Sequence, residues 1–353
     1  MKRVVISGYY GYDNIGDEAI LYSIIQAIKD FNSEIEIFVL SSSPEKTSQR
    51  YNVKAAGRYN LPEIISILKG ADLFISGGGS LIQDVTSLKS PFYYLTILQL
   101  ARILSKKSVF FCQGVGPLNN RIVRLATLKT LEKVDLISVR DINSKKLLEN
   151  IGLAGDEIIK SVDPVFLLDD VSANNRNSIT GDNILGISVR PWDDNSYIQP
   201  LAAGVNQLIE DYPDLKVNLI PFHKGEDERV SESFSELLNT DRIRLLKAQS
   251  HPARMIDYYE EIDILLGVRL HSLIYATITA TPFVGISYDP KIDSYLSELE
   301  KRPAGSTELI KPERVYERLS YNFDNYLVES ERLEGFARDR NNELENILMQ
   351  IFD

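Results

Sequence analysis

The chain has 353 residues, 44% hydrophobic and 25% charged, which exceeds one ordinary core and suits a globular protein of two domains. A net charge of −11 argues against general nucleic-acid binding, and one cysteine, Cys112, allows neither an internal disulfide nor a multi-cysteine metal site. Only a few apolar residues precede Gly8, too few for a signal peptide, and no run approaches the roughly 20 apolar residues that span a bilayer, so a cytoplasmic location is expected.

Short β-rich apolar runs alternate with helical patterns along the chain, the signature of βαβ units around parallel sheets. In the first half the strands read RVVISG, IEIFVLS, DLFISGG, VFFCQG and DLISVR. Helical stretches lie between them, and the first, DEAILYSIIQAIKDF, places Ile20, Leu21, Ile24, Ile25 and Ile28 at amphipathic spacing. Cys112 falls in an apolar strand and reads as a buried, inert thiol. The polar, turn-rich stretch 169–182 reads as a linker. Alternation then restarts with NILGISVR, LAAGVNQLIEDY, KVNLIPF, DILLGV and PFVGISY, and a charged helical tail follows. The expected organisation is a Rossmann-like domain over 1–168, the linker, a second Rossmann-like domain over 183–325 and a C-terminal helix over 326–353. Two such α/β domains would face each other across a cleft, with ligands at the carboxyl ends of the strands.

The turns after strands therefore carry the candidate chemistry. GYYGYDNIGDEAI follows the first strand; its glycine spacing is not that of a dinucleotide fingerprint. Asp17 and Glu18 suit a helix start, while Asp13 and Asn14 lie in the loop, where Asp13 could orient or deprotonate a sugar hydroxyl. ISGGGSLIQDV follows; Gly78, Gly79 and Ser80 either let backbone approach a ligand or serve tight packing, and Gln83 and Asp84 are further polar candidates. Arg140 and Arg190 each end an apolar strand; for Arg140 the structural alternative is a pairing with Asp141 beside it or a cap on the following helix.

GVRLHSLIYATI carries the sharpest signal: Arg269 and His271 stand where a strand gives way to a helix. A helix start favours anions, Arg269 supplies a planar fork, and His271 supplies a proton carrier titrating near neutrality. The structural alternative is a salt-bridged Arg269 and a satisfied core His271. Lys291 follows the strand FVGIS in Tyr288-Asp289-Pro290-Lys291. Together Arg140, Arg190, Arg269, Lys291 and His271, with Asp13 opposite, fit a small, highly anionic substrate. His223 and His251 have no ligand-type residue at metal spacing, so no metal site is expected; P-loop and nucleophile-elbow motifs do not occur.

From Val85 to Leu131 there is no acidic residue, against seven Lys and Arg. PFYYLTILQLARIL within this region is aromatic and leucine-rich, so it reads either as a core helix with a solvated basic face or as a contact for anionic lipid.

GYYGYDNIGDEAILYSII, LFISGGGSLIQDVTS, ISVRPW, GVRLHSLIYA and GISYDPK, in this order, resemble the motifs of the polysaccharide pyruvyl transferases, specifically the bacterial CsaB type. The resemblance runs to about Asp293. It implies a GT-B-like fold and transfer of pyruvate from phosphoenolpyruvate to two hydroxyls of one sugar, a 4,6-ketal on N-acetylmannosamine of a lipid diphosphate-linked precursor of a secondary cell-wall polymer. The pyruvylated polymer then anchors S-layer homology domains. Phosphoenolpyruvate is a co-substrate, so no cofactor is implied; the lipid-linked acceptor allows peripheral contact with the inner membrane face. By matching motifs, Arg269 and His271 bind phosphoenolpyruvate with His271 as general acid. Arg140 and Lys291 hold carboxylate and phosphate with Arg190 in support, Asp13 is the base or orienter, and Asn14, Gly78, Gly79 and Ser80 lie on the acceptor side. The alternative is a GT-B-like glycosyltransferase using a nucleotide sugar, for which the sequence offers no evident aromatic or acidic clamp. A third reading is a non-catalytic sugar-phosphate-binding protein of cell-wall assembly.

Overall fold

Both halves of the chain repeat one motif: an apolar strand, a turn, a helix laid back on the sheet, and a parallel strand beside the first. The computed structural model describes residues 1–85, 87–168 and 183–352, so the linker expected over 169–182 lies outside the described residues. The chain divides into two units, Met1–Leu167 with Arg340–Asp353, and Leu168–Asp339.

The first unit runs β1 (Arg3–Ser7), α1 (Ile15–Phe31), β2 (Glu36–Ser41), α2 (Pro44–Tyr51), β3 (Lys54–Gly57), α3 (Leu61–Lys69) and β4 (Leu73–Gly77). It continues through α4 (Lys89–Leu104), β5 (Lys107–Gln113), α5 (Arg121–Leu131), β6 (Leu136–Val139), α6 (Ile142–Ile151) and β7 (Ile158–Lys160). Its seven strands are parallel in the order β3-β2-β1-β4-β5-β6-β7. Strands covered on both faces are apolar throughout, and every residue of β4 is buried. One face packs Phe74, Phe110 and Ile137 of the sheet against Ile64 of α3, Leu95 and Leu98 of α4, Val123 of α5 and Leu148 of α6. Cys112 sits at a register shift in β5, where its amide donates to Ser138 Oγ (2.9 Å). Burial pushes its thiol up to about 12.

The second unit runs β8 (Ile184–Ser188), α7 (Ile198–Asp211), β9 (Lys216–Leu219), α8 (Glu226–Ser235), β10 (Ile243–Leu245), α9 (Ala253–Glu260) and β11 (Ile264–Gly267). Then come α10 (Leu270–Ile278), β12 (Phe283–Ser287), α11 (Pro290–Glu298), β13 (Gly305–Ser306), α12 (Pro312–Asp324) and α13 (Tyr326–Phe352). Six parallel strands lie in the order β10-β9-β8-β11-β12-β13. Leu185, Ile187, Leu219 and Leu266 of this sheet pack against Leu201 and Val205 of α7 and Val315 of α12. The last turns of α13 belong to the first unit, where Lys107 Nζ donates to the carbonyls of Gln350 and Ile351 (2.9 Å each), a cation at a helix C-terminus.

Four strands that patterning does not reveal, β3, β7, β10 and β13, are all edge strands of two to four residues. Edge strands are kept short, so they leave no apolar run to read. Helix α2 is largely polar and also escapes.

A recurring device pins the amino ends of the sheets. Three strands are preceded by aspartate in ADLFISG, VDLISVR and IDILLGV, and each carboxylate accepts from the backbone of the neighbouring strand. Asp72 takes the amides of Lys2 and Arg3 (2.6 and 3.0 Å), Asp135 takes the Ser108 amide (2.7 Å), and Asp263 takes the Ile184 amide (2.7 Å). The bond from Lys106, together with those two amides, holds the Asp72 carboxyl well below the usual carboxylate range.

Asp72 therefore contributes stability above its unfolded value near about 4 and loses it as the pH falls toward the lower folded value. Lys106 is exposed and its pairing is screened, so the two amide bonds carry most of the effect. Asp72→Ala should cost about 1–2 kcal/mol near neutral pH and less near about pH 3. Denaturant titrations at both pH values measure the narrowing gap between variant and wild type.

Candidate functional site

In a doubly wound parallel sheet, the first strand sends one crossover to each side, leaving a crevice at its carboxyl end. That switch lies between β1 and β4 in the first unit and between β8 and β11 in the second.

In the first unit, Tyr10 ties the loop after β1 to the end of β4 by donating to the Gly77 carbonyl (2.6 Å). Asn14 caps α1, accepting from the Gly16 amide (3.2 Å) and donating to Asp17 (2.6 Å). Asp13 accepts from Arg50 Nη2 (2.8 Å) and Lys46 Nζ (3.2 Å), both on α2. Partial desolvation opposes ionisation of Asp13, but the bonds from Arg50 and Lys46 outweigh it and hold the carboxyl below its ordinary range. A carboxylate so paired accepts a proton less readily than a free one. Glu18, read from sequence as a helix-start acid, is 1% exposed. It accepts from the Gly11 amide (2.8 Å) and Tyr51 Oη (2.5 Å) and pairs with Arg50 (3.2 Å). Arg50 thus joins both acids to α2.

The glycines after β4 answer to the fold. Gly78 has φ +84°, and a Cβ there would meet Ile20 of α1 at 2.2 Å; Gly79 has φ +69°, and a Cβ there would meet the Asp17 carboxylate at 2.7 Å. Left-handed backbone and close packing against α1 both require glycine here. Ser80 Oγ accepts from Arg140 Nη2 (2.9 Å). Arg140 is buried between Asp163 (3.3 Å) and Asp141 (3.6 Å), so two carboxylates and a hydroxyl enclose it, a wider set than the Asp141 pairing foreseen from sequence. It lies in the first unit, whereas Arg190, Arg269, His271 and Lys291 lie in the second.

Those four follow adjacent strands β8, β11 and β12, so one end of the sheet collects them. Arg269 precedes α10, which begins without a side-chain cap. Its guanidinium grips Asp227 of α8 in a two-pronged pair, Nε to Oδ2 at 2.7 Å and Nη2 to Oδ1 at 2.5 Å. Asp227 is fully buried and also accepts the Phe222 and His223 amides (3.0 Å each) after β9. The pair uses Nε and Nη2, leaving the Nη1 edge of the fork to another partner. His271 is half-buried in the first turn of α10.

Arg190, after β8, exchanges two backbone bonds with the Tyr197 hydroxyl (3.1 and 2.6 Å). Among the described residues no carboxylate pairs with it; its guanidinium lies 4.4 Å from the Tyr288 ring centre and 5.4 Å from that of Trp192. Trp192 and Tyr288 lie 4.8 Å apart, and Lys291 Nζ is 5.2 Å from Tyr288 and 3.3 Å from Asp289. Burial pushes the Tyr197 hydroxyl up to about 12, offset by its bond to Arg190, with Asp227 raising it and Arg190 and Arg269 lowering it. Tyr197 therefore senses both arginines.

Asp227 and Tyr197 had no signal in the sequence. Trp192 and Tyr288 stand close in sequence to Arg190 and Lys291, but that the two rings pair with each other was not evident there.

Comparison with known proteins agrees with this architecture. The polysaccharide pyruvyl transferase family model matches residues 14–290. The chain is similar to the amylovoran biosynthesis protein AmsJ of Erwinia amylovora, at 20% identity covering 94% of this chain and 97% of that protein. Among solved structures it is similar to S. aureus MnaA with UDP (TM-score 0.62, 13% identity, 100% of this chain and 98% of that one). It is also similar to Anabaena HepE in complex with UDP and glucose (TM-score 0.61, 11% identity, 99% and 100%). The UDP-GlcNAc 2-epimerase of Neisseria meningitidis bound to UDP-GlcNAc is comparable (TM-score 0.62, 13% identity, 99% and 100%). At these identities the structures speak to the fold alone, which is GT-B-like. With the family model spanning most of its length, the chain belongs to the polysaccharide pyruvyl transferase family.

Proposed function

We propose that the protein moves pyruvate from phosphoenolpyruvate onto a sugar of a lipid-linked cell-wall polysaccharide precursor, with N-acetylmannosamine as a 4,6-ketal the favoured product, and releases phosphate. Family membership supports pyruvyl transfer. The observation that carries the donor is the set of cations at the carboxyl end of the second sheet: Arg190 with no carboxylate partner among the described residues, Arg269 with one edge of its fork left over, Lys291, and the uncapped start of α10. Phosphoenolpyruvate places a carboxylate and a phosphate on three carbons, and charge-assisted bonds to both are about twice as strong as neutral ones.

In this reading His271 gives a proton to the vinyl carbon, making C2 electrophilic. One sugar hydroxyl adds to C2, and the second displaces phosphate to close the ring. Two hydroxyl protons are lost; one is balanced on the new methyl group and one on the departing phosphate. Asp13 supports the acceptor side through its ion pairs with α2, and the acceptor hydroxyls lose their protons to another group. Arg140 and Ser80 act in the first unit, and Asn14, Gly78 and Gly79 shape the acceptor-side turn. The reaction runs without a cofactor, on the cytoplasmic side, where lipid-linked precursors and phosphoenolpyruvate meet.

A second reading, a transferase using a nucleotide sugar, is favoured by the Trp192–Tyr288 ring pair beside Arg190, which offers a stacking surface for a base. Calorimetry with phosphoenolpyruvate and with UDP-sugars separates the two, and binding of phosphoenolpyruvate alone is expected.

His271→Ala should lower pyruvate transfer by about 10²–10⁴-fold with the fold intact. Phosphate release in the presence of a synthetic diphosphate-linked N-acetylmannosaminyl disaccharide, with mass measurement of the product, checks this; near-wild-type turnover refutes the acid role. Asp227→Ala removes the buried partner of Arg269 and should cost about 3–5 kcal/mol of stability. Asp227→Asn keeps the packing, so its weaker hold on Arg269 should appear as a raised KM for phosphoenolpyruvate with kcat less affected, measured by steady-state kinetics.

A further inference from the structure

The helical layer over the first sheet turns an unusual surface outward. α3, α4 and α5 each bury one side against the sheet. On the other side, Phe92, Thr96, Gln99 and Ile103 form an exposed stripe along α4, and Ile122 and Leu125 stand out from α5. Ile103, Ile122 and Leu125 are 65%, 66% and 56% exposed. Val85 and Leu88, in the turn before α4, extend the patch. Exposed apolar side chains thus recur on neighbouring helices of this layer, as on surfaces that another surface covers.

Charge runs the same way. Throughout Val85–Leu131 the chain has seven cations and no acid, within a protein of net charge −11. Lys129 is paired with Glu132 (3.1 Å) and Lys106 with Asp72 (2.6 Å), but Lys89, Arg121 and Arg124 are exposed and form no ion pair among the described residues, although Asp84 lies near enough to Arg124 to feel its charge.

Between α3 and α4 a pocket of about 490 Å³ has walls formed by Tyr59, Leu61, Phe92, Tyr93 and Ile97, with Arg58 among its lining residues. Arg58 is 5% exposed, lies 4.3 to 5.5 Å from the ring centres of Tyr12, Tyr59, Tyr93 and Tyr94, and bonds Tyr12 Oη (3.3 Å). No carboxylate among the described residues neutralises it. A buried cation held by π-faces beside an apolar wall is built to meet an anion that carries hydrocarbon.

We propose that this face docks on a bilayer containing anionic phospholipid: the apolar side chains of α4 and α5 enter the interface, Lys89, Arg121 and Arg124 meet lipid phosphates, and the Arg58 pocket receives one headgroup. A protein of net charge −11 is repelled from such a surface on average, so the patch would also favour one orientation on the membrane. This docking goes beyond the proposed reaction and does not depend on it. No described helix is long and apolar enough to cross a membrane.

Co-sedimentation of the full chain with vesicles tests it without reference to activity. Binding is expected to vesicles of phosphatidylglycerol and phosphatidylcholine, not to phosphatidylcholine alone, and is expected to fall steeply with added salt. Each cation is worth about fivefold in partitioning, so Arg121→Glu/Arg124→Glu should weaken binding at least about tenfold. Ile122→Ser/Leu125→Ser should weaken it comparably, and circular dichroism checks that both variants fold. Equal binding by wild type and both variants, equal binding to neutral vesicles, or no binding to either overturns the proposal. Arg58→Gln that folds and binds like wild type removes the pocket from it.

Discussion

A carboxylate withdrawn from water organises the second unit. Asp227 accepts two backbone amides after β9 and two guanidinium bonds from Arg269 after β11, so a single group spans the end of β8 that lies between them. Desolvating both charges cancels much of their attraction, so the pair adds little net stability. Its contribution is geometric, because a planar fork gripped on one edge can present the other in only one direction. Arg190 is held differently, by aromatic faces and the Tyr197 hydroxyl, and no carboxylate among the described residues pairs with it.

The two ends of each sheet have different tasks. At the amino ends, aspartates before β4, β6 and β11 bind the backbone of neighbouring strands and serve the fold. At the carboxyl ends, cations, hydroxyls and rings gather around the switch. Charge at one end is spent on backbone amides, and charge at the other is left partly available for a ligand.

Central strands were legible in the sequence because burial on both faces forces continuous apolar runs, and the edge strands were not because they are too short to show one. Strand-end cations were equally legible: Arg190 ends an apolar run, Arg269 interrupts one, and Lys291 follows the turn after another, where a buried strand has no use for charge. Their partners were not, since Asp227 stands 42 residues from Arg269 and only the crossovers bring them together. The same limit applied to Asp13, whose loop position was evident but whose pairing with Lys46 and Arg50 depended on a polar helix with no periodic signature. At Gly78 and Gly79 the sequence left ligand approach and tight packing open, and the close approach of Ile20 and Asp17 of α1 that demands glycine there was beyond it.

The sole thiol of the chain has a practical consequence. Cys112 is sealed inside β5, and at physiological pH almost none of it is thiolate, the form that electrophiles attack. A maleimide or disulfide dye would therefore ignore the native protein and label it only when the first unit opens, whereas the second unit could unfold unseen. Nature has left a built-in reporter for one half of the molecule, silent until that half comes apart.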